Sequence, residues 1–230
     1  KYELRQIYNI TKMDEKSKVI DIGCGTGNHV DMLTRKGVSA IGIDSSIEMV
    51  KKAKYNFPKC KFYNSDVMHA NQFQYGVFTH ALMLDMTLYY IQDKTAAFHN
   101  IHTWLKPNGY MIIHLVNRDQ YDPRIFASDP LYKVNPQRFS KKRITQSFVK
   151  FDDFQYKGDF IGNNENSTYV ETMKEDEGGK AIRNEHVYYM EKQKTIIDKA
   201  KGIGFKFIGK INMSVCNHAY EYLYVFQKIK

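Results

Sequence analysis

The sequence predicts an α/β fold: a doubly wound, mostly parallel, seven-stranded sheet with an antiparallel β insertion after strand five. Three observations carry that expectation. Short apolar, β-branched runs alternate with helical runs as far as Val116, the pattern of a parallel sheet covered by helices on both faces. The first of these runs breaks into the turn Gly23-Cys24-Gly25-Thr26-Gly27. From about 117 to 190 the helical spacing gives way to β-rich stretches separated by Gly162-Asn163-Asn164-Glu165-Asn166 and Asp176-Glu177-Gly178-Gly179.

Taken in order, Val19, Ile20 and Ile22 make a first strand buried on both faces, with Asp21 among them. Residues without a Cβ then let the backbone turn sharply and press against a ligand, while the free N–H groups of a helix over 28–36 face the turn. The third glycine comes one residue early for the dinucleotide fingerprint, and position 28 is Asn, which argues against NAD or FAD. A second strand over 39–43 leads to Asp44 and Ser45, ahead of a helix over 46–55. Asp44 can accept ribose hydroxyls or cap that helix. A third strand over 60–63 precedes Asn64-Ser65-Asp66-Val67, where Asp66 also suits a turn. A fourth strand spans 76–84, and a helix over 94–105 is capped by Asp93. Leu105-Lys106-Pro107-Asn108-Gly109 stops that helix before a fifth strand over 110–116. Inserted strands fall at 147–151, 156–161, 167–173 and 182–190; a helix over 192–201 and strands over 205–212 and 219–227 close the sheet.

Composition narrows the class. With 230 residues and 43% hydrophobic content the chain can bury one substantial core, so a single domain over 1–230 is expected, with 117–190 inserted in it. Cys24, Cys60 and Cys216 lie far apart, and no group of His, Cys, Asp or Glu has metal-ligand spacing, so neither a disulfide nor a metal is implied. Without a signal peptide or a membrane-length apolar run, the chain is expected to be soluble and cytoplasmic, away from membranes. The net charge of +9 admits nucleic acid or acidic small molecules as partners, yet the basic residues are scattered. Lys51-Lys52-Ala53-Lys54 reads as a solvated helix face, and Lys141-Lys142-Arg143, near Phe139 and Phe148, can contact phosphate.

The D-x-G-x-G-x-G spelling from Asp21 to Gly27 resembles motif I of class I S-adenosylmethionine-dependent methyltransferases. Asp44, the Asn64 to Val67 stretch, the fourth strand and Leu105 to Gly109 follow in that family's order. The resemblance implies a Rossmann-like fold, S-adenosyl-L-methionine as cofactor and S-adenosyl-L-homocysteine as product. It implies cofactor contacts at Asp21, Gly23, Cys24, Gly25, Gly27, Asp44, Ser45, Asp66, Val67 and Leu82. Asn117-Arg118-Asp119-Gln120-Tyr121-Asp122 is similar to the D-H-R-N-Y-D stretch of glycine N-methyltransferases and related small-molecule N-methyltransferases, although Asn117 stands where they have Asp. That similarity implies a lid of antiparallel strands over a small substrate. In this family, residues upstream of Lys1 often cap the cofactor.

Methyl transfer from a sulfonium demands positioning and exclusion of water more than a strong base, whereas a protonated amine acceptor gains from a nearby carboxylate or histidine. Asp85, Asn117 and Arg118, past strands four and five, are the candidate catalytic residues. Asp85 also suits a capping role, and Arg118 a surface ion pair. Tyr89 and Tyr90 can bound a pocket or pack in the core, and His114 reads as packed. His186, on the face opposite Arg183, Glu185 and Val187, suits lid packing or a substrate contact. His29 lies in a first helical turn, where the helix dipole disfavours its charged form. The expected function is transfer of a methyl group to a small-molecule acceptor, N-methylation ahead of O-methylation. RNA or another nucleic-acid acceptor comes second, since Leu84-Asp85-Met86-Thr87 replaces the Asn/Asp-Pro-Pro-Tyr/Phe motif of many base methylases. A non-catalytic cofactor-binding regulatory protein is the third reading, and the oligomeric state is not legible.

Overall fold

A computed structural model describes residues 2–121, 136–163, 165–175, 179, 181–216 and 218–229. The element order is α1 (Tyr2–Thr11), β1 (Lys18–Ile22), α2 (Asn28–Thr34), β2 (Ser39–Asp44), α3 (Ile47–Asn56), β3 (Lys61–Asn64), β4 (Phe78–Met83), α4 (Lys94–Trp104) and β5 (Leu105–Val116). Then come β6 (Gln146–Lys150), β7 (Phe154–Asn163), β8 (Asn166–Glu175), β9 (Ile182–Tyr189), α5 (Gln193–Ile203), β10 (Phe205–Asn212) and β11 (Glu221–Lys228). The chain divides into two compact units, one of Lys1–Leu115, Lys194–Ile211 and Tyr222–Lys230, the other of Val116–Gln193 and Asn212–Glu221.

The first unit is built on the expected seven-stranded, mostly parallel sheet, in the order β10-β11-β5-β4-β1-β2-β3. Asp21 of β1 pairs with Gly42 of β2 on one side and Leu82 of β4 on the other, so the carboxyl ends of these strands finish side by side. Ligands of open α/β sheets bind at that edge. The core is formed by strand residues such as Ile20, Leu82 and Ile113, all at most 1% exposed, and by Leu33, Phe98 and Trp104 from the helices. Trp104 is fixed further by its Nε1–H, which donates to Ala70 O at 3.1 Å.

Three differences from the sequence expectation have local causes. Helix α1 has no counterpart in it, although Leu4, Ile7 and Thr11 fall on one buried face at helical spacing. Strand β5 begins at Leu105 rather than 110, because Leu105 pairs with Phe78 and Tyr110 with His80 while the four residues between loop out at Asn108, φ 64°. Helix α2 ends at Thr34, ahead of Gly37 at φ 79°. The buried Lys228 then ties the sheet to α4, its Nζ donating to His102 O at 2.7 Å and Leu105 O at 2.9 Å. It satisfies carbonyls that the helix end leaves open.

The second unit carries a four-stranded antiparallel sheet, β6-β7-β8-β9. One face holds the buried Tyr156, Phe160, Tyr169 and Tyr188; Phe148, Ile161 and Val187 are exposed. Among the described residues no helix is long and apolar enough to cross a membrane.

Candidate functional site

The glycine turn folds back over the end of β2: the N–H groups of Gly23 and Cys24 both donate to Ile43 O, at 2.8 and 3.0 Å. Gly23, Gly25 and Gly27 take φ values of 71°, 51° and 90°, a region that costs an L-residue about 1–2 kcal/mol. Their surroundings differ. A Cβ on Gly23 would lie 2.5 Å from Thr87 Oγ1, and one on Gly27 2.6 Å from Phe62 Cζ. A Cβ on Gly25 would meet nothing within 4 Å. Two glycines are thus demanded by packing, and the middle one faces open space.

Asp44 is bound into this turn. Its Oδ2 accepts the Gly25 N–H at 2.9 Å and its Oδ1 the Ser46 N–H at 2.9 Å. Ser46, not Asp44, is the N-cap of α3, its Oγ accepting the Met49 N–H. Asn64 Nδ2 donates to the carbonyls of Asp44 and Ser45, at 3.0 and 2.9 Å, so the ends of β2 and β3 are laced together and Ser45 is exposed beside them. Asp66 Oδ1 accepts the Met68 N–H at 2.9 Å, and the buried Val67 offers its carbonyl to Asn100 Nδ2 at 2.8 Å. Cys24 is buried beneath Gly42, and burial foremost, with Asp21 and Asp44 nearby, pushes its thiol up to about 12. It is a neutral packing group. Leu82 is fully buried inside β4 and presents only the wall of the strand end.

Past β4, Asp85 and Met86 both adopt left-handed backbone, φ 47° and 67°. Two successive non-glycine residues in that region store strain of the kind found at functional sites. His114 of β5 holds the turn, accepting the Met86 N–H at its Nδ1, 3.2 Å away. Its packed environment therefore has a positioning consequence that sequence reasoning did not supply. Asp85 is exposed, Tyr89 is buried in the core and Tyr90 is 47% exposed.

Acidic groups dominate the electrostatics. Asp21 is 1% exposed, and burial, opposed by His29 and reinforced by Asp85, Asp44 and Glu3, raises its carboxyl to about 7. His29 Nδ1 lies 4.0 Å from Asp21 Oδ2, and its Nε2 lies 3.3 Å from Glu3 Oε2. Burial favours the neutral imidazole, but the Glu3 hydrogen bond and the charges of Asp21 and Asp85 outweigh it and raise His29 to about 9. The expectation of a disfavoured charge at the helix start is overturned, because adjacent carboxylates exceed the dipole.

The family follows from the whole constellation. Residues 3–208 match the model of the methyltransferase domain family. The chain belongs to that family. Among its relatives, a trans-aconitate 2-methyltransferase of Enterobacter sp. (strain 638) is 28% identical over 123 residues, 53% of this chain and 48% of that protein. The chain spans about half the length of that relative. Among solved structures, an S-adenosylmethionine-dependent methyltransferase from Clostridium acetobutylicum ATCC 824 has a TM-score of 0.74 at 16% identity, with 99% of this chain and 89% of that one covered. CalS10, an amino pentose methyltransferase from Micromonospora echinaspora with S-adenosylmethionine bound, has a TM-score of 0.70 at 14% identity, with 99% and 90% covered. The likeness to both is one of fold.

In the second unit of this methyltransferase domain, Asn117 organises its own turn: Nδ2 donates to Gln120 Oε1 at 2.7 Å, and its carbonyl accepts the Tyr121 N–H at 2.7 Å. Arg118 is 7% exposed, and its Nη1 donates to Met190 O at 2.8 Å, with Asp119 and Glu165 3.7 and 3.9 Å away. Arg143 donates to Arg118 O and lies over the Phe160 ring. Asp122 and the stretch Asp176-Glu177-Gly178 lie outside the described residues. His186 Nε2 meets Glu171 Oε2 at 3.1 Å, and the ring is stacked between Tyr169 and Tyr188. Glu171 Oε1 also accepts from Tyr156.

Two expected outcomes follow for the methyltransferase domain. Asp44→Ala removes the acceptor of two backbone N–H groups and is expected to cost about 1–3 kcal/mol of folding stability. Urea denaturation measures it, and an unchanged midpoint would deny Asp44 its bracing role. The pH dependence of this cluster has a definite sign, since Asp21 and His29 are both raised. The contribution of Asp21 declines as pH rises from about 4 through 7. That of His29 is complete below about 6.5 and is lost as pH rises through 9. Thermal midpoints should therefore fall between pH 6.5 and 9, and Glu3→Gln should flatten that limb.

Proposed function

We propose that this methyltransferase domain transfers the methyl group of S-adenosylmethionine to an amine nitrogen of a small molecule. The observation that carries the reading is the set of carboxylates Asp21, Asp44 and Asp85, which act on one another electrostatically on and beyond β1, β2 and β4, together with a glycine turn whose middle residue faces open space. The donor set fits the cofactor. Gly25 leaves room for a ligand against the backbone, Asp44 and Asp66 offer acceptors for hydroxyl and amino groups, and the acidic field suits a cation. When bound, S-adenosylmethionine supplies an electrophilic methyl carbon on a positively charged sulfur.

The residues of the chain then have distinct tasks. The turn from Gly23 to Gly27 and the carboxylate of Asp44 bind and orient, and Asp21 contributes negative charge from a dry position. Asp85, exposed on a strained turn held by His114, accepts an N–H hydrogen bond from the acceptor and takes up the proton its nitrogen sheds, so that the amine reacts as the neutral base with its lone pair toward the methyl carbon. No proton step is placed on Asn117 or Arg118, whose side chains are committed to Gln120 and Met190. The same acidity disfavours a carboxylate acceptor and a nucleic-acid backbone, since like charges repel at short range. The amino pentose methyltransferase among the structural relatives agrees with an amine, whereas the trans-aconitate relative acts on an acid.

Thermal denaturation with S-adenosylmethionine, S-adenosylhomocysteine, NAD or buffer tests the cofactor, because a ligand of the native state raises the midpoint by mass action. A rise with the first two alone is expected. Methyl acceptance is then compared among small amines, small carboxylic acids and RNA. Transfer confined to acids or RNA would refute the amine reading. Binding without transfer to any of the three would favour a regulatory protein.

A further inference from the structure

We infer that His29, held by Glu3, is a positioning residue that keeps the buried Asp21 carboxylate charged for the cationic end of the cofactor. The inference rests on the cofactor reading above. It starts from an arrangement of three side chains from three elements: Glu3 on α1, His29 in the first turn of α2 and Asp21 on β1. The imidazole lies between the two carboxylates, 3.3 Å from Glu3 Oε2 and 4.0 Å from Asp21 Oδ2. Asp21 is 1% exposed, and its Oδ2 has no hydrogen-bond partner among the described residues.

A carboxylate this dry takes up a proton unless a cation faces it. The other charged groups that act on Asp21 are Asp85 past β4, Asp44 at the end of β2 and Glu3, all acidic and all driving it toward neutrality. Among the described residues, His29 is the one group that opposes them. The imidazole is itself dry, and burial would leave it neutral without the Glu3 hydrogen bond and the charges of Asp21 and Asp85. Charge on Asp21 is thus maintained in two steps, Glu3 holding the proton on His29 and His29 holding the proton off Asp21. Helix α1 reaches the site through this relay.

The test uses the whole chain. Calorimetric titration with S-adenosylhomocysteine, which keeps the ammonium group of the cofactor, is run from pH 5.5 to 8.5 on the wild type, His29→Gln, His29→Lys and Glu3→Gln. Wild-type affinity should rise with pH as Asp21 ionises. In His29→Gln the rise should move to higher pH, weakening binding at pH 7 about fivefold to tenfold, the size expected for a shift of about one pKa unit. Glu3→Gln is read on His29 rather than on affinity, because Glu3 also acts directly on Asp21 in the opposite sense, and His29→Lys should restore the wild-type profile. In the ligand-free protein, carboxyl and imidazole NMR titrations should show Asp21 raised in His29→Gln and His29 lowered in Glu3→Gln. Superimposable affinity profiles, or an unmoved Asp21 titration in a folded His29→Gln protein, would overturn the relay while leaving the cofactor reading intact. Absence of S-adenosylhomocysteine binding by the wild type would overturn both.

Discussion

Gly25→Val is expected to yield a folded methyltransferase domain that no longer binds S-adenosylmethionine or S-adenosylhomocysteine. The native backbone at this position has φ 51°, so a β-branched residue is strained there, and a stability loss of about 1–3 kcal/mol is anticipated. Nothing clashes, because a Cβ at Gly25 meets no atom within 4 Å. The N–H that donates to Asp44 is retained as well. The two valine methyls instead occupy the space through which a ligand approaches the turn. An affinity loss of at least 100-fold, about 2.7 kcal/mol, should remove the ligand-induced rise in thermal midpoint. Gly25→Ala, with a single methyl, should fall between the wild type and the valine variant. A folded Gly25→Val protein with wild-type affinity would sink the placement of the cofactor at this turn.

Two residues along, the same substitution should damage the fold itself. At Gly27 the φ of 90° is accompanied by crowding, with Phe62 Cζ 2.6 Å and Ala53 Cβ 3.1 Å from a built Cβ. Phe62 is 2% exposed and Ala53 fully buried, so neither can move into solvent. Backbone strain of about 1–3 kcal/mol and overpacking of about 1–3 kcal/mol together give a loss of about 2–6 kcal/mol for Gly27→Val. Against a typical domain stability of about 5–15 kcal/mol, that leaves the variant marginal. Urea denaturation provides the measurement. Phe62→Leu in the same chain should recover part of the loss, because it withdraws the ring from the clash. If Gly25→Val and Gly27→Val cost the same stability, the division of the turn into a ligand-facing and a packing glycine is mistaken.

The contrast between these two glycines marks where legibility stopped. Both stand in one five-residue turn, and the spelling around them announces a strand, a tight turn and a helix. What crowds Gly27 is contributed by Phe62 and Ala53, which the chain brings back only through β3 and α3, while Gly25 is left facing open space. Similarly, Asp44 was legible as an acidic residue after the second strand, with ribose and helix capping as its alternatives. The structure uses both of its oxygens on backbone N–H groups, of Gly25 and Ser46, and gives the cap to Ser46. The Lys106 to Gly109 turn was legible too, but its appearance as a loop inside β5 depends on Leu105 pairing with Phe78.

The sequence by itself determined the fold class, the order of the first five strands, the four inserted strands and the place of the glycine turn. Those features are written in local patterns: apolar runs of strand length, caps such as Asp93, and glycines where the backbone must turn left-handed. Only the tertiary structure decided the electrostatics. Glu3, His29, Asp21 and Asp85 lie on separate elements or turns of the chain, and the sequence favoured a neutral His29 on the helix dipole alone. Folding puts carboxylates within a few ångströms of the ring and takes water away, and in that surrounding the charges outweigh the dipole. Short-range pattern fixes where the backbone turns, whereas the protonation of a buried group depends on every charge that the fold assembles around it.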